Sequence, residues 1–192
     1  MMKYLIALLS ATILFSCSPN NNSENGEINT TLASLKDNQA KIELEIDGKS
    51  FYADTSVFQG GGYVDEKGVK ISLRDQSMGN VIVSLEGNSW FKNKPYKIIF
   101  KDGYPTSSTM GSFLTGKINN TTENRGEGYV LYDGFFEIKY ISKDAFVVYV
   151  KGNLKKPFGD DPLSSVEGNI IWKKPDYNIE EGKGIEIPIK KK

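Results

Sequence analysis

The sequence has no histidine among its 192 residues, and this absence excludes several kinds of chemistry. Ser-His-Asp and Cys-His nucleophiles need an imidazole base, and ordinary catalytic zinc sites need histidine ligands. Basic and acidic residues number 24 each, so the chain lacks the basic excess typical of proteins that contact phosphates. We therefore predict that the protein does not bind nucleic acid and carries out no histidine-dependent chemistry. Because the rest of the sequence holds no complete catalytic motif, we also predict that the protein is not an enzyme and uses no cofactor.

Cysteine is also nearly absent, since Cys17 is the only one. A single cysteine cannot form an intramolecular disulfide, so its position decides how it is interpreted. It follows Lys3, an apolar run over residues 4–15 and the small residue Ser16. The run is shorter than the ~20 apolar residues that a transmembrane helix needs. Residues 1–16 are therefore predicted to be a cleaved export signal.

The sequence Leu14-Phe15-Ser16-Cys17 resembles the lipobox of bacterial lipoproteins. The resemblance implies that Cys17 becomes the N-terminus and is acylated, with chains such as palmitate that anchor the protein in a membrane. Ser18 is not the aspartate associated with retention at the inner membrane, so the resemblance implies an outer-membrane location, on either face. The alternative is a plain secretory signal followed by an incidental cysteine.

Residues 18–39 are rich in Asn, Ser, Thr, Glu and Gly and contain few large apolar side chains. This composition predicts a polar tether, so we assign residues 17–39 to the acylated cysteine and its tether. Ile28, Leu32 and Leu35 allow two interpretations, a short helical turn against the domain or a disordered spacer. The composition favours the spacer.

Residues 40–192 repeat one pattern of short alternating apolar runs, rich in Val, Ile, Tyr and Phe, between Asp-Gly, Gly-rich and Asn-containing turns. The pattern predicts a single all-β domain, an antiparallel two-layer β-sandwich, with a β-barrel as the alternative. No segment has the apolar spacing of a long helix. The predicted strands are 41–46, 57–64, 69–73, 81–85, 96–100, 129–132, 135–141, 145–150, 166–172 and 185–189.

Short turn sequences predict which strands are neighbours. Asp47-Gly48 supplies the positive φ angles of a tight hairpin. Lys67-Gly68, Asp133-Gly134 and Lys143-Asp144 separate consecutive apolar runs, so each should join an antiparallel pair. The longer polar segments 101–127 and 150–166 are predicted to be loops.

The order of these features resembles that of small β-rich lipoproteins from Bacteroidota-type bacteria. The resemblance rests on the lipobox, the polar tether, the hairpin sequence 46–53, the segment 134–138 and the segment 150–154. It implies a β-rich domain on a membrane anchor. It carries no catalytic residue to this sequence.

Aromatic residues in predicted loops are the candidate ligand contacts, namely Trp90, Phe91 and Tyr104. Such side chains give a large contact area at low entropic cost, which suits protein surfaces and sugar rings alike. We expect a non-enzymatic module that binds a protein or a glycan at the cell envelope. Loop aromatics can instead fold back and plug the end of a sandwich. A hollow barrel would act as a carrier for a lipid or another small ligand.

Acidic residues give two further candidates. Glu43 and Glu45 lie on the same solvent-exposed face of a strand, and two carboxylates are the minimum that glycoside hydrolysis needs. The alternation of polar and apolar residues along a strand explains their positions equally well. Asp160-Asp161 could offer oxygens to Ca²⁺, but turn aspartates usually cap backbone N–H groups. We predict no catalytic residue and no metal site, and Trp172 is predicted to lie in the core.

Overall fold

The computed structural model describes residues 21–179, except 89, 93, 94, 121, 124 and 159. These residues form one α-helix, α1 (Asn21–Ser34), a 3-10 turn (Trp90–Lys92) and twelve strands. The strands are β1 (Ala40–Ile46), β2 (Lys49–Ser50), β3 (Gln59–Val64), β4 (Gly68–Arg74), β5 (Asn80–Glu86), β6 (Tyr96–Lys101), β7 (Tyr104–Pro105), β8 (Met110–Asn120), β9 (Arg125–Ile141), β10 (Ala145–Lys155), β11 (Ser164–Lys173) and β12 (Tyr177–Ile179).

All the strands belong to one mixed sheet. Its hydrogen-bonded order is β12-β3-β4-β5-β8-β9-β10-β11-β1-β2, with β6 paired to β9 and β7 paired to β6. Within the described residues, β12 and β3 form a parallel pair and the other ladders are antiparallel. The predicted all-β, sandwich-like fold is confirmed.

The sheet is not closed into a barrel, so the barrel alternative is wrong. Near its two ends, an isolated bridge joins Ala40 of β1 to Phe58, which precedes β3. Among the described residues, no ladder continues from this bridge between β1 and β3.

One face of the folded sheet forms a single hydrophobic core. In β1, for example, Ile42, Leu44 and Ile46 point inward and alternate with exposed Glu43 and Glu45, as the period-two pattern predicts. The largest fully buried side chains include Trp172, Phe58, Phe113, Phe136 and Phe146. The prediction that Trp172 lies in the core is therefore confirmed.

Three of the predicted turns are confirmed. Asp47 and Gly48 have φ angles of 51° and 70° and connect β1 to β2 in an antiparallel hairpin. The β3–β4 and β9–β10 pairs are antiparallel and are joined around residues 65–67 and 142–144. The short polar sequences at these positions were sufficient to identify the neighbours.

The predicted turn at Asp133-Gly134 is wrong. The chain continues through both residues as the 17-residue strand β9. Gly134 has a φ angle of 109°, and a Cβ atom on it would lie 2.3 Å from the carbonyl oxygen of Lys151 on β10. Glycine is therefore needed at this position for the close approach of two strands and not for a reversal of the chain.

The prediction that residues 101–127 form a loop is also wrong, because β8 lies within them. β8 pairs with β5 on one side and with β9 on the other. Of its apolar side chains only Phe113 is fully buried, so its sequence lacks a strong alternating pattern. β10 and β11 likewise extend into the second predicted loop, and the predicted strand 185–189 lies outside the described residues.

The helix α1 corrects the expectation of a spacer before residue 40 and of a chain without a long helix. Ile28 and Leu32 of α1, together with Leu35, pack against Val147 and Ile171 on the outer face of β10 and β11. The Nζ atom of Lys173 donates a hydrogen bond of 2.6 Å to the carbonyl oxygen of Leu35 and holds the end of the segment. Spaced three to four residues apart, the three apolar side chains cover this patch even though the helix is polar overall.

Candidate functional site

Trp90, Phe91 and Tyr104 were expected to be exposed aromatic contacts for a ligand, but Trp90 is buried. Its side chain is 3% exposed, and its indole Nε1 donates a 2.8 Å hydrogen bond to the carbonyl oxygen of Asp65. Its ring packs edge-on against Tyr96 at 5.3 Å and Phe91 at 6.0 Å. Phe91 is partly buried against the same core. The two loop aromatics therefore plug the core.

Tyr104 lies apart from Trp90 and Phe91. The 3-10 turn precedes β6, whereas Tyr104 follows β6 and pairs with Lys101 at its far end. Six residues of extended β6 therefore separate the two positions. Tyr104 is 75% exposed and remains available for a contact.

The other positions singled out from the sequence do not converge on a site. Cys17, the predicted lipid attachment residue, lies outside the described residues. Asp161 pairs with Lys156 at 3.2 Å. In the described part of the chain, no group of three or more His, Cys, Asp or Glu side chains could hold a metal ion.

A groove on the outer face of the sheet is the candidate site, and we call it the sheet-face groove. It has a volume of about 450 Å³. Its floor is the outer face of β1, β11 and β10, and its wall is the segment that follows β2. The polar and aromatic side chains that line it are Lys41, Glu43, Glu45, Ser50, Tyr52, Asp54, Tyr149, Glu167 and Asn169.

Two rows of facing residues build the floor. The first row runs from Glu43 on β1 through Asn169 on β11 to Tyr149 on β10. The second row begins with Glu45 on β1, which faces Glu167 on β11. The neighbouring inward residues of these strands are buried, so alternation directs all five side chains to the outer face.

Hydrogen bonds fix the carboxylate of Glu167. The Tyr149 hydroxyl donates to Glu167 Oε1, and the Nζ atom of Lys151 lies 3.0 Å from Glu167 Oε2. The hydrogen bond from Tyr149, followed by that from Lys151, lowers the pKa of Glu167 below its ordinary value of 4.5. Glu167 therefore carries a negative charge in the groove at neutral pH.

The side chain of Asn169 lies in the first row of the floor, between Glu43 and Tyr149. Its Oδ1 atom is buried and has no hydrogen-bond partner among the described residues. A buried amide oxygen without a donor costs free energy, roughly 1–3 kcal/mol for a buried group of this kind. With almost no accessible surface, this oxygen does not itself face a ligand in the groove.

The wall of the groove is held rigidly. The Tyr52 hydroxyl lies 2.6 Å from Thr115 Oγ1 and donates to the carbonyl oxygen of Asn80 at 2.7 Å, and burial raises the pKa of this phenol. On the other side, the Nζ atom of Lys41 donates a 2.7 Å hydrogen bond to the carbonyl oxygen of Asp54. These bonds tie the segment after β2 to the core and to β1.

An aromatic and cationic strip continues from the groove towards β6. The ring of Phe135 on β9 lies 5.9 Å from that of Tyr149, and the Nζ atom of Lys97 lies 3.5 Å from the Phe135 ring centroid. The Nζ atom of Lys139 lies 5.5 Å from the Tyr149 ring. These cation–π contacts hold the rings of Phe135 and Tyr149 in place.

Sequence reasoning identified Glu43 and Glu45 as a same-face pair but missed Tyr149, Glu167 and Asn169. The pairing of β1 with β11 and of β11 with β10 brings these residues together, although β1 and β11 are far apart in the chain. The only signal in the sequence was the alternation itself, which puts each of them on an outer face.

Comparisons with known proteins give no relative from which a site could be transferred. The single helix of the described residues is too short and too polar to cross a membrane. No family model, curated protein or solved structure matches the chain.

Proposed function

We propose that this protein is a lipoprotein anchored in the outer membrane through Cys17, and that it binds a glycan of the cell envelope without chemical turnover. The observation that carries the proposal is the sheet-face groove, where Tyr149, Glu167 and Asn169 converge with Glu43 and Glu45. Its volume of about 450 Å³ lies within the range of ~300–1,000 Å³ found for small-ligand sites.

The groove favours a glycan over a peptide. Since β11 and β10 are each paired on both sides, their backbone groups are used in ladders, and a ligand on this face contacts side chains only. An added peptide strand would need a free sheet edge. Carboxylates, an amide and a tyrosine ring are suited to the hydroxyl groups and apolar faces of sugar rings.

The charge state of Glu167 supports binding without hydrolysis. A glycosidase needs one carboxyl group with a raised pKa, so that it can donate a proton to the leaving group. The pKa of Glu167 is lowered instead by Tyr149 and Lys151. Glu167 is therefore suited to accept hydrogen bonds.

The filled core supports binding at the surface over transport of a lipid inside the fold. A carrier needs an apolar cavity between the two layers. Here large rings, including Trp172, Phe58 and Phe136, fill the interior and are at most 2% exposed.

The test is calorimetric titration of the purified full-length protein in detergent with oligosaccharides released from envelope polysaccharides. We expect Tyr149→Ala to weaken binding at least tenfold, because it removes the ring and frees Glu167 from its hydroxyl donor. Tyr104→Ala, which changes an exposed aromatic outside the groove, is the matched control and should leave the affinity unchanged.

Two results would contradict the proposal. The first is an affinity that falls with Tyr104→Ala and not with Tyr149→Ala, which would move the site to the position expected from the sequence. The second is the absence of binding to any oligosaccharide together with capture of a protein ligand that Tyr149→Ala does not affect.

A further inference from the structure

We propose that α1 and the following Leu35, which together we call the latch, undock from the sheet as one unit while the sheet stays folded. Undocking lengthens the connection between the membrane anchor and the sheet. The change in length rests on the proposed anchor at Cys17, whereas the undocking itself does not. Three features of the fold support it: a helix of weak intrinsic stability, a partly empty contact beneath the helix, and a firmly held turn after it.

The sequence of α1 gives the helix little stability of its own. Nine of its 14 residues are Asn, Ser, Thr or Gly, all of which favour a helix less than alanine does. Isolated helices shorter than ~12–15 residues are marginal in water even when they are rich in alanine. The hydroxyls of Thr30 and Ser34 donate to carbonyl oxygens of the helix itself, at Gly26 and Thr31. Packing against the sheet must therefore hold α1 in its helical form.

The contact that holds the latch is small. Its apolar side chains are Ile28, Leu32 and Leu35, and the first two stay half-buried when they pack against Val147 and Ile171. Beside this contact, a cavity of about 660 Å³ lies between α1 and the strands β9 and β10. Because a close-packed interior leaves few voids larger than a water molecule, the helix covers this part of the outer face incompletely. Undocking therefore loses less packing than the separation of two core strands.

The turn after the latch, residues 36–39, is held firmly on β11. The backbone N–H of Asn38 donates to the carbonyl oxygen of Lys173 at 2.9 Å, and the indole Nε1 of Trp172 donates to Asn38 Oδ1 at 3.0 Å. The backbone N–H of Lys173 donates in turn to the carbonyl oxygen of Gln39 at 2.9 Å. The latch itself is tied to β11 through the side chain of Lys173, which bonds to the Leu35 carbonyl oxygen. The latch therefore pivots after Leu35, and the turn stays with the sheet.

Undocking can more than double the length of the connection. As a helix, the 14 residues of α1 span about 21 Å at ~1.5 Å per residue. Released and fully extended, the same residues span at most about 50 Å at ~3.3–3.6 Å per residue. The docked latch therefore holds the domain close to the proposed anchor. The released latch lets the domain, with its sheet-face groove, reach further from the membrane surface.

Amide hydrogen exchange of the full-length protein in detergent, followed by NMR, tests the undocking. We expect the amides of residues 26–34 to exchange at least ~100-fold faster than those at the centres of β10 and β11, because the latch opens while the sheet stays closed. We also expect them to exchange more slowly than amides of an unstructured chain, because the docked state predominates.

Leu32→Ala weakens the contact beneath the helix. It should speed the exchange of residues 26–34 by a further ~10-fold and leave β10 and β11 unchanged. Leu163→Ala is the matched control, because it makes the same change at an exposed position between β10 and β11. Gly26→Ala acts in the opposite direction, since its Cβ enters open space and alanine favours the helix, and it should slow the exchange about two- to fivefold.

Distances between two spin labels measure the release directly. The labels are placed at Gly26→Cys and Leu163→Cys in the full-length protein, where an acylated Cys17 takes no label. Pulsed electron paramagnetic resonance should give one narrow distance for the docked latch. Adding Leu32→Ala should add a broad component, because a released latch samples many positions.

The outcomes separate the latch from the proposed anchor. Exchange of residues 26–34 as slow as that of β10 and β11 would make α1 part of the cooperative sheet and overturn the inference. Exchange at the rate of an unstructured chain would overturn it as well, since no docked state would exist. An equal effect of Leu32→Ala and Leu163→Ala on the latch would also contradict it. Labelling of Cys17 would contradict the anchor and the change in length, while the exchange rates decide the undocking.

Discussion

At the scale of single residues, the same type of side chain serves different purposes in this protein. Trp90 closes the core, with its indole nitrogen bonded to the backbone of Asp65. Tyr149 lies on the outer face and orients Glu167. In the sequence, Trp90 has polar neighbours such as Ser89 and Lys92, whereas Tyr149 stands in the apolar run 145–150. Local composition alone would therefore assign the two side chains the opposite roles. Only the direction of each side chain relative to the sheet assigns its role.

Trp90→Ala should destabilise the fold strongly. Removing a buried tryptophan costs ~3–5 kcal/mol of unfolding free energy, through lost burial and the cavity left behind. Tyr104→Ala should change the unfolding free energy by less than ~0.5 kcal/mol, because that side chain is exposed. Chemical denaturation of the two variants and the parent measures both changes. Equal stability of Trp90→Ala and the parent would show that the loop aromatics are not structural.

Tyr149→Phe should raise the pKa of Glu167 towards its ordinary value of 4.5, because the leading cause of its lowered pKa is removed. In the parent, the stabilisation from this hydrogen bond is present above the ordinary pKa and is lost as the pH falls through the lowered folded pKa. An NMR titration of the Glu167 carboxyl group in parent and variant measures the shift. Identical titration curves would refute the hydrogen bond as its cause.

At the scale of elements, the sequence revealed the faces of strands better than their ends. Alternation in β1, β4 and β5 predicted the strands because one side of each is buried. It did not reveal β8, whose half-buried side chains weaken the pattern, nor α1, which packs through only a few side chains in a polar segment. The Asp-Gly sequence within β9 was ambiguous, since glycine serves both turns and close strand contacts.

Gly134→Ala tests this interpretation of β9. Its added Cβ would overlap the backbone of β10 at 2.3 Å, and φ is 109°, so we expect a loss of at least ~1–3 kcal/mol of stability. Gly26→Ala in α1 is the matched control, with no atom within 4 Å of the new Cβ. There we expect a gain of roughly 0.5–1 kcal/mol, since alanine favours a helix. Similar melting temperatures for Gly134→Ala and the parent would contradict the close strand contact.

At the scale of the whole molecule, the groove depends on strand order. β1 and β11 lie side by side although more than a hundred residues separate them in the sequence. Periodicity in one sequence reports which face of a strand is buried, but it does not report which strand lies beside it. The fold class was therefore predictable, whereas the convergence of Glu45, Glu167 and Tyr149 was not.

The proposed anchor also sets the position of the groove relative to the membrane. Three residues lie between Cys17 and the start of α1 at Asn21, and at ~3.3–3.6 Å per residue the four steps span no more than about 14 Å. The helix α1 packs on the same outer face that carries the groove. With that anchor, we expect the proposed ligand site to lie near the membrane surface.

Cys17→Ala should release the protein from the membrane fraction and leave the stability of the domain unchanged, because the acyl chains are the proposed anchor. Cell fractionation followed by immunoblotting measures the distribution. Ser18→Ala is the matched control and should stay in the membrane fraction. Retention of Cys17→Ala in the membrane fraction would contradict the lipid anchor.

The central claim is that the outer face of β1, β11 and β10 binds a glycan. NMR chemical-shift mapping of the amide-labelled protein during titration with the oligosaccharides released from envelope polysaccharides tests it most directly. The account predicts shifts concentrated at residues 41–45, 149–151 and 167–169, with Gly68 and its neighbours on β4 unmoved. Shifts confined to residues 90–92 and 104, or distributed without a centre, would contradict it.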